Sequence, residues 1–314
     1  LIQLLGGFHG PLGLEGQAYP GYTLRMFSDS AARVLKEFVF TRPVTLSGGG
    51  MFPMGDDMKL MKGRIRFDAS AGRVRYPLLG TTLDLGRTKG EVLISPQWVV
   101  VDKMMGTIWD GTFTGRVLAQ IDDGDALNGS FVLQDMNLTS IGKSYDKKME
   151  KATVHGAIEF SSKGGNMNSI QAKGEAALVH GDLVEIPLFG FLGEALSNYI
   201  PGLGHLINYK ISRADCDFSI EKGYVRTSNF AAQGSNMSLE GGGWIRLSDL
   251  QVNSDFKLGL RGFPGFITSP VFLLAGGLFQ VRGTGPLSNV SWSFAPFSGG
   301  KAPIPPAAAP ARKR

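Results

Sequence analysis

From about residue 44 onward, apolar and polar residues alternate with a period of two, and no other feature constrains the fold as tightly. Ile65 and Phe67 alternate with Arg64 and Arg66, and Val74 and Tyr76 with Arg73 and Arg75. The spacing continues through Val92 and Ile94, then Phe113, Val117, Ala119 and Ile121, then Phe131 and Leu133, then Val154, Ile158 and Phe160. Ile170, Ala172, Ala176 and Leu178 keep one phase, broken only by Gly174. Successive side chains of a strand point to opposite faces, so strict alternation means one apolar and one polar face per strand. Parallel strands covered by helices would show continuous apolar runs instead. The pattern predicts a long antiparallel meander with one face wet.

The same alternation resumes late in the chain. Ala214, Cys216, Phe218 and Ile220 share a phase, Met237 and Leu239 share one with Ile245 and Leu247, and Val252, Phe256, Leu258 and Leu260 follow. The chain holds 44 Gly without a collagen-like period, which points to turns and bulges. Asp122-Asp123-Gly124 and Lys163-Gly164-Gly165-Asn166 punctuate gaps between strands. Glu221-Lys222-Gly223 reads as a hairpin turn, Gly241-Gly242-Gly243 as a bulge or bend, and Gly283-Thr284-Gly285-Pro286 as a tight turn. GSFVL at 129–133 and GAIEF at 156–160 echo each other and suggest a repeating unit without fixing a period.

Five regions are expected. Residues 1–43 form an N-terminal segment, in which Ser28-Asp29-Ser30 caps a helix over AARVLKEFVF that Pro43 closes. Because the chain opens on Leu1, this segment is expected to continue from upstream sequence. Residues 44–185 are the first antiparallel meander. Residues 186–209 are an apolar helical insertion with one acid, Glu194, and no Lys or Arg. Residues 210–295 form the C-terminal β region, and 296–314 a compositionally disordered tail. The insertion is broken by Pro201 and Gly202, and residues 262–281, though uncharged, carry Pro264 and Pro270. Neither reads as a membrane span.

The residues offer no catalytic chemistry. His9, His155, His180 and His205 are scattered and lack metal-ligand spacing. Gly48-Gly49-Gly50 lacks the Lys-Ser/Thr of a phosphate loop. Asp56-Asp57 and Asp122-Asp123 sit beside turns, where acids are common, and no Gly-x-Ser-x-Gly elbow occurs. Asn-x-Ser/Thr sites at Asn128, Asn137, Asn236 and Asn289 fit chance in Ser- and Asn-rich strand ends. The chain is therefore expected to be no enzyme, with no metal and no cofactor. Lys and Arg number 32 against 27 acids, but they lie singly along strands, which argues against a nucleic-acid partner. The single cysteine, Cys216, reads as a small core residue.

A sheet with one apolar face cannot leave that face in water, and short helical segments are too small to cover a dozen strands. A curved sheet holding acyl chains resolves this, since each buried methylene contributes ~0.8 kcal/mol without any polar contact. The expected fold is thus mainly β: a long curved antiparallel sheet forming a hydrophobic groove, with short helical insertions. Its lining is assigned to Ile158, Phe160, Ala176, Leu178, Phe218, Ile220, Ile245 and Leu247. Leu188, Leu192, Leu196, Tyr199, Leu203 and Ile207 of the insertion would gate the groove or touch a membrane.

The order of a broken apolar helix, an acid-Lys-Gly turn, NMSLEGGGWIRLSDLQVNSDFKLGL and FQVRGTGPLSNVSW resembles the C-terminal region of AsmA-like proteins, relatives of TamB and the bridge-like lipid-transfer proteins. Val281, Gly283 and Thr284 match their closing Val-x-Gly-Thr-Leu-x-x-Pro hairpin, while Gly285-Pro286-Leu287 departs from it. The resemblance covers about residues 170–295. It implies a periplasmic protein of Gram-negative-type bacteria, anchored in the inner membrane by an upstream segment. Such a protein would carry phospholipid between inner and outer membranes or support envelope assembly, with a membrane or envelope-protein partner at its C-terminal end. Two other readings stand beside it. One is a scaffold or assembly factor that captures client strands of outer-membrane proteins by β-augmentation. The other is an outer-membrane β-barrel, against which the mid-chain helix, uneven strands and basic tail argue.

Overall fold

The computed structural model describes residues 2–5, 12–19, 38–51, 62–78, 81–120, 126–146, 151–163, 169–179, 211–235, 237–260, 278–287 and 289–296. The chain is mainly β, its ladders are antiparallel, and one short helix is present among the described residues. It divides into two compact units, the first comprising residues 1–147 and 157–166, the second 148–156 and 167–314. The capped helix after Ser28, the insertion at 186–209 with its six gate residues, and the tail beyond Pro296 lie outside the described residues.

The first unit contains β1 (Ile2–Leu5), β2 (Leu12–Ala18), β3 (Val39–Phe40), β4 (Val44–Met51), β5 (Lys62–Asp68), β6 (Arg73–Leu78), β7 (Thr81–Ile94), β8 (Trp98–Ile108), β9 (Gly111–Gln120) and β10 (Leu127–Asn137). The short helix α1 (Leu138–Ser144) follows, and β11 (Thr153–Ser162) contributes Ala157–Ser162. Residues 1–43 thus supply strands: β2 pairs with β4 along its whole length, from Leu12↔Gly50 to Ala18↔Val44. The registers align Ile65, Val92, Val101, Val117 and Gly129 in one row across β5, β7, β8, β9 and β10. Directly opposed residues share a face, so this row is apolar, while Arg64, Arg66 and Glu91 occupy the other face. Val44, Leu46, Ile65, Ala69, Val74 and Ile94 form the buried core, with Phe38, Phe67, Leu85 and Val92 packed against it.

Two devices bend this sheet. β5 and β6 both pair with β7, β6 along its first half and β5 along its second, so they are one strand interrupted at Ala69–Gly72. There Ala69 N donates to Thr88 O at 2.8 Å and Gly72 N to Ala69 O at 3.1 Å. Beside that break, β7 carries an extra residue near Arg87 (φ 47°) and β8 one near Lys103 (φ 51°). Gly86 opposes Thr107, Lys89 opposes Met105 and Glu91 opposes Asp102, so the two bulges compensate and restore register.

Many glycines are explained by aromatic rings. Phe67 lies over Gly90, Phe113 over Gly106, Phe131 over Gly115 and Phe160 over Gly129, with a Cβ on each glycine falling 2.4–2.8 Å from the ring. The first three pairs are directly opposed across their ladders. The rings run on into one another, Phe113 to Phe131 at 6.5 Å and Phe131 to Phe160 at 6.0 Å and parallel. The GSFVL and GAIEF echoes contain two of these rings and one of their glycines: Gly129 receives Phe160 while Phe131 covers Gly115.

The second unit is a consecutive ladder: β12 (Gln171–Val179), β13 (Ile211–Glu221), β14 (Tyr224–Gly234), β15 (Met237–Arg246), β16 (Gln251–Leu260), β17 (Leu278–Pro286) and β18 (Ser291–Pro296). The turn at Lys222-Gly223 is as expected, with both residues at positive φ (53° and 76°), the pattern of a two-residue type I′ hairpin. Three expectations are corrected. Gly241–Gly243 pair with Phe256, Asp255 and Ser254 of β16 without interruption, and the bulge lies opposite them in β14, between Thr227 and Phe230. These glycines admit close backbone: a Cβ on Gly241 would stand 2.2 Å from Asp255 O. Gly283–Pro286 belong to β17 rather than to a turn, because Gly283 sits beneath the Trp292 ring and Gly285 still opposes Val252. The reversal follows Pro286, where Asn289 N donates to Pro286 O at 2.8 Å. β18 also reaches Pro296, which takes the first residue of the expected tail into the sheet. Asn137, met in the sequence as a glycosylation triplet, is the N-cap of α1, accepting from Thr139 N at 2.9 Å.

Candidate functional site

The second unit carries a continuous apolar face whose composition can be read row by row. Ala172, Ile220, Val225, Ile245 and Val252 oppose one another in sequence across β12 to β16. Leu178, Ala214, Ala232, Leu239 and Leu258 form a second row across the same strands. Between them lie Ala176 opposite Cys216, Gly174 opposite Phe218, and the Phe230–Gly241–Phe256–Val281 row. At a strand spacing of ~4.8 Å, a row of five positions spans about 19 Å, comparable to an extended long acyl chain.

The other face of the same strands is polar. Glu175 opposes Asp217, Ser219 opposes Arg226, and Glu240 opposes Lys257, which opposes Gln280. Its one deeply buried acid, Asp255 at 7% exposure, accepts from Gln280 Nε2 at 2.9 and 2.7 Å and from Arg282 Nη2 at 3.0 Å. That carboxylate is satisfied within the sheet and is a structural group.

Of the eight residues assigned to a lining, five lie on the apolar face of this ladder: Ala176, Leu178, Phe218, Ile220 and Ile245. Leu247 falls just past β15, in the turn at 247–250, where its N donates to Gly223 O at 2.8 Å. Ile158 and Phe160 belong to the first unit, and Phe160 is committed to the cover of Gly129. Exposure divides the apolar face. Leu239 and Leu258 are 0% exposed and Ala232 3%, so the second row is closed core across β14 to β16. In the first row Ala172 and Val252 are buried at the ends, while Ile220, Val225 and Ile245, with Phe218 beside them, are only half-buried, so the middle of that row is the part with surface to offer. Sequence phase had already placed Leu239 and Leu258 on this face, but phase alone does not separate covered from open positions.

Cys216 sits half-buried on the apolar face opposite Ala176. Burial pushes its thiol up from the ordinary range, and the carboxylates of Asp217 and Asp215 push it further. It is therefore poorly ionised near neutral pH, the behaviour of an inert core thiol rather than a nucleophile. Among the described residues, no group of three His, Cys, Asp or Glu side chains could hold a metal ion, and no helix is long and apolar enough to cross a membrane. Compared with known proteins, the chain matches no family model, no curated protein and no solved structure.

Proposed function

We propose that the chain is a lipid-binding module of an AsmA-like envelope protein, periplasmic and carried on an inner-membrane anchor, in which acyl chains lie along the apolar face of the sheet. The observation that carries this reading is the half-buried row Ile220–Val225–Ile245, aligned across three strands, flanked by Phe218 and backed by a polar face. Such a row presents hydrocarbon at strand spacing and no polar group, so it discriminates by length and apolarity rather than headgroup. Covering about eight methylenes contributes roughly 6 kcal/mol, from which the ordering of chain and lipid is subtracted. The resemblance over residues 170–295 supplies the envelope setting and the phospholipid class.

The test is native mass spectrometry of the purified chain with lipid extraction, repeated on Ile220→Asp and Ile245→Asp. Phospholipid retained at reproducible stoichiometry, and lost in both variants while far-UV circular dichroism is unchanged, supports the reading. A stable lipid-free chain sinks it. Crosslinking of the chain to polypeptide clients instead of lipid would move the assignment to strand capture by β-augmentation.

A further inference from the structure

The charged face of the first unit carries a feature that lipid binding leaves unused. Glu91 is 6% exposed, yet three cations converge on it: Arg64 Nε and Arg66 Nε at 3.6 Å from Oε1, and Lys103 Nζ at 3.8 Å from Oε2. All three separations exceed hydrogen-bond length, so neither guanidinium spends its paired N–H fork on this carboxylate. Three cations against one carboxylate leave an excess of two positive charges (3 − 1 = 2). Lys89 and Asp68, which stand beside them, cancel.

The cluster borders an open cavity of about 460 Å³ lined by Thr45, Ser47, Arg66, Lys89, Glu91 and Lys103. A second cavity of about 390 Å³, lined by Lys103, Met105, Thr114, Arg116 and Ser130, shares Lys103 and Met105 with the first. Lys103 thus belongs to the common wall of both, and it is the charged residue there. It reaches that place only through the β8 bulge. In a regular strand Asp102 and Lys103 would point to opposite faces, and Asp102 opposes Glu91 on the charged one. The extra residue, held at φ 51°, lets Lys103 line the second cavity together with Asp102, whose carboxylate faces Arg116 at 3.6 Å. A non-glycine residue at positive φ is a local cost, and here it delivers an ammonium to a site already rich in positive charge.

We infer that this trough binds a tetrahedral oxyanion of the phosphate class. A planar carboxylate is saturated by one guanidinium fork, whereas a phosphate has oxygens for the Arg66 fork, the Lys103 ammonium and the Ser47 and Thr45 hydroxyls together. The phosphate comes either from a small phosphorylated solute or from the headgroup of a lipid surface laid against this face. The site is independent of the apolar row, which lies in the other unit.

The experiment titrates the whole chain with glycerol 1-phosphate by calorimetry at low ionic strength. In parallel it measures flotation with phosphatidic acid vesicles against phosphatidylcholine vesicles. The variants are Arg66→Gln and Lys103→Gly, the latter because glycine accepts the bulge conformation and keeps the fold while removing the ammonium. Arg213→Gln, an exposed cation of the other unit, is the control. Affinity for the soluble phosphate falling about tenfold or more in both variants, but not in the control, establishes the site for a solute. The same pattern seen only in phosphatidic acid flotation establishes it for a headgroup. Equal binding by variants and parent, or no binding of either probe up to about 10 mM phosphate, overturns the inference.

Discussion

Replacing Gly115 by Ala tests the ring-over-glycine construction directly. A Cβ there would stand 2.4 Å from Cδ1 and 2.6 Å from Cε1 of Phe131, and 2.8 Å from Ser130 O. Gly115 is not at a left-handed φ, so its backbone accepts alanine and the objection is contact alone. The ring has little room to yield, because Phe160 stacks parallel to it at 6.0 Å and Phe113 flanks it at 6.5 Å. Gly115→Ala is therefore expected to cost about 1–3 kcal/mol, the usual range for overpacking. In a Phe131→Ala background the ring contacts are gone and only the 2.8 Å approach to Ser130 O remains, so the same substitution should cost clearly less. The coupling between the two positions is then about 1 kcal/mol or more. Urea unfolding of the parent, both single variants and the double variant, followed by far-UV circular dichroism, gives the four free energies. Hydrogen exchange over residues 111–134 localises the change to β9 and β10. An equal cost of Gly115→Ala in both backgrounds would refute the reasoning.

Other consequences follow from burial and pairing. Leu239→Ala, at a fully covered position, should cost about 2–5 kcal/mol in denaturant unfolding, while Ile245→Ala in the half-buried row should cost clearly less. Asp255→Ala strips the acceptor from Gln280 and Arg282 and should cost about 1–3 kcal/mol, with Asp255→Asn milder because one oxygen remains. The Cys216 thiol is raised by burial and by Asp217 and Asp215, so its neutral form is the one the fold favours. Its contribution is fully present below the ordinary thiol range and is lost as pH rises through the elevated folded value. Iodoacetamide should label it far more slowly in the folded chain than in urea, with the folded rate still climbing above the ordinary thiol range. Equal rates in the two states would contradict the assignment.

Which face each strand turns to the core was legible because it depends on parity alone. Arg64, Ile65, Arg66 and Phe67 alternate in the structure as they do in the chain. Partnership across strands was not legible. That Gly115 needs Phe131, or Gly283 needs Trp292, follows only once register is known, and register is set by turns, bulges and packing together. This is why Gly283–Pro286 read as a turn. Glycine marks both a reversal and a place where a ring must lie flat, and sequence does not separate the two. The bulges at Arg87 and Lys103 left no signal at all, since neither residue type favours positive φ. The helix α1 was also invisible, being seven residues long with too few turns to show a period. Five of the eight residues assigned to a lining share one apolar face, but openness depends on cover, which phase does not report.

The separation of roles between the units leads to a last test. Alternation gives each strand two independent surfaces, and the rows on opposite faces share no side-chain partner. Lys103 stands beside Glu91 in the charged cluster of the first unit, whereas Ile220 opposes Val225, and Val225 opposes Ile245, on the apolar face of the second. Lys103→Gly should therefore leave lipid retention unchanged, and Ile220→Asp should leave the affinity for soluble phosphate unchanged. In the double variant each loss should match its single variant within about twofold, the free-energy tolerance expected of uncoupled sites. If Lys103→Gly also released bound lipid, the assignment of acyl chains to the apolar row alone would fail.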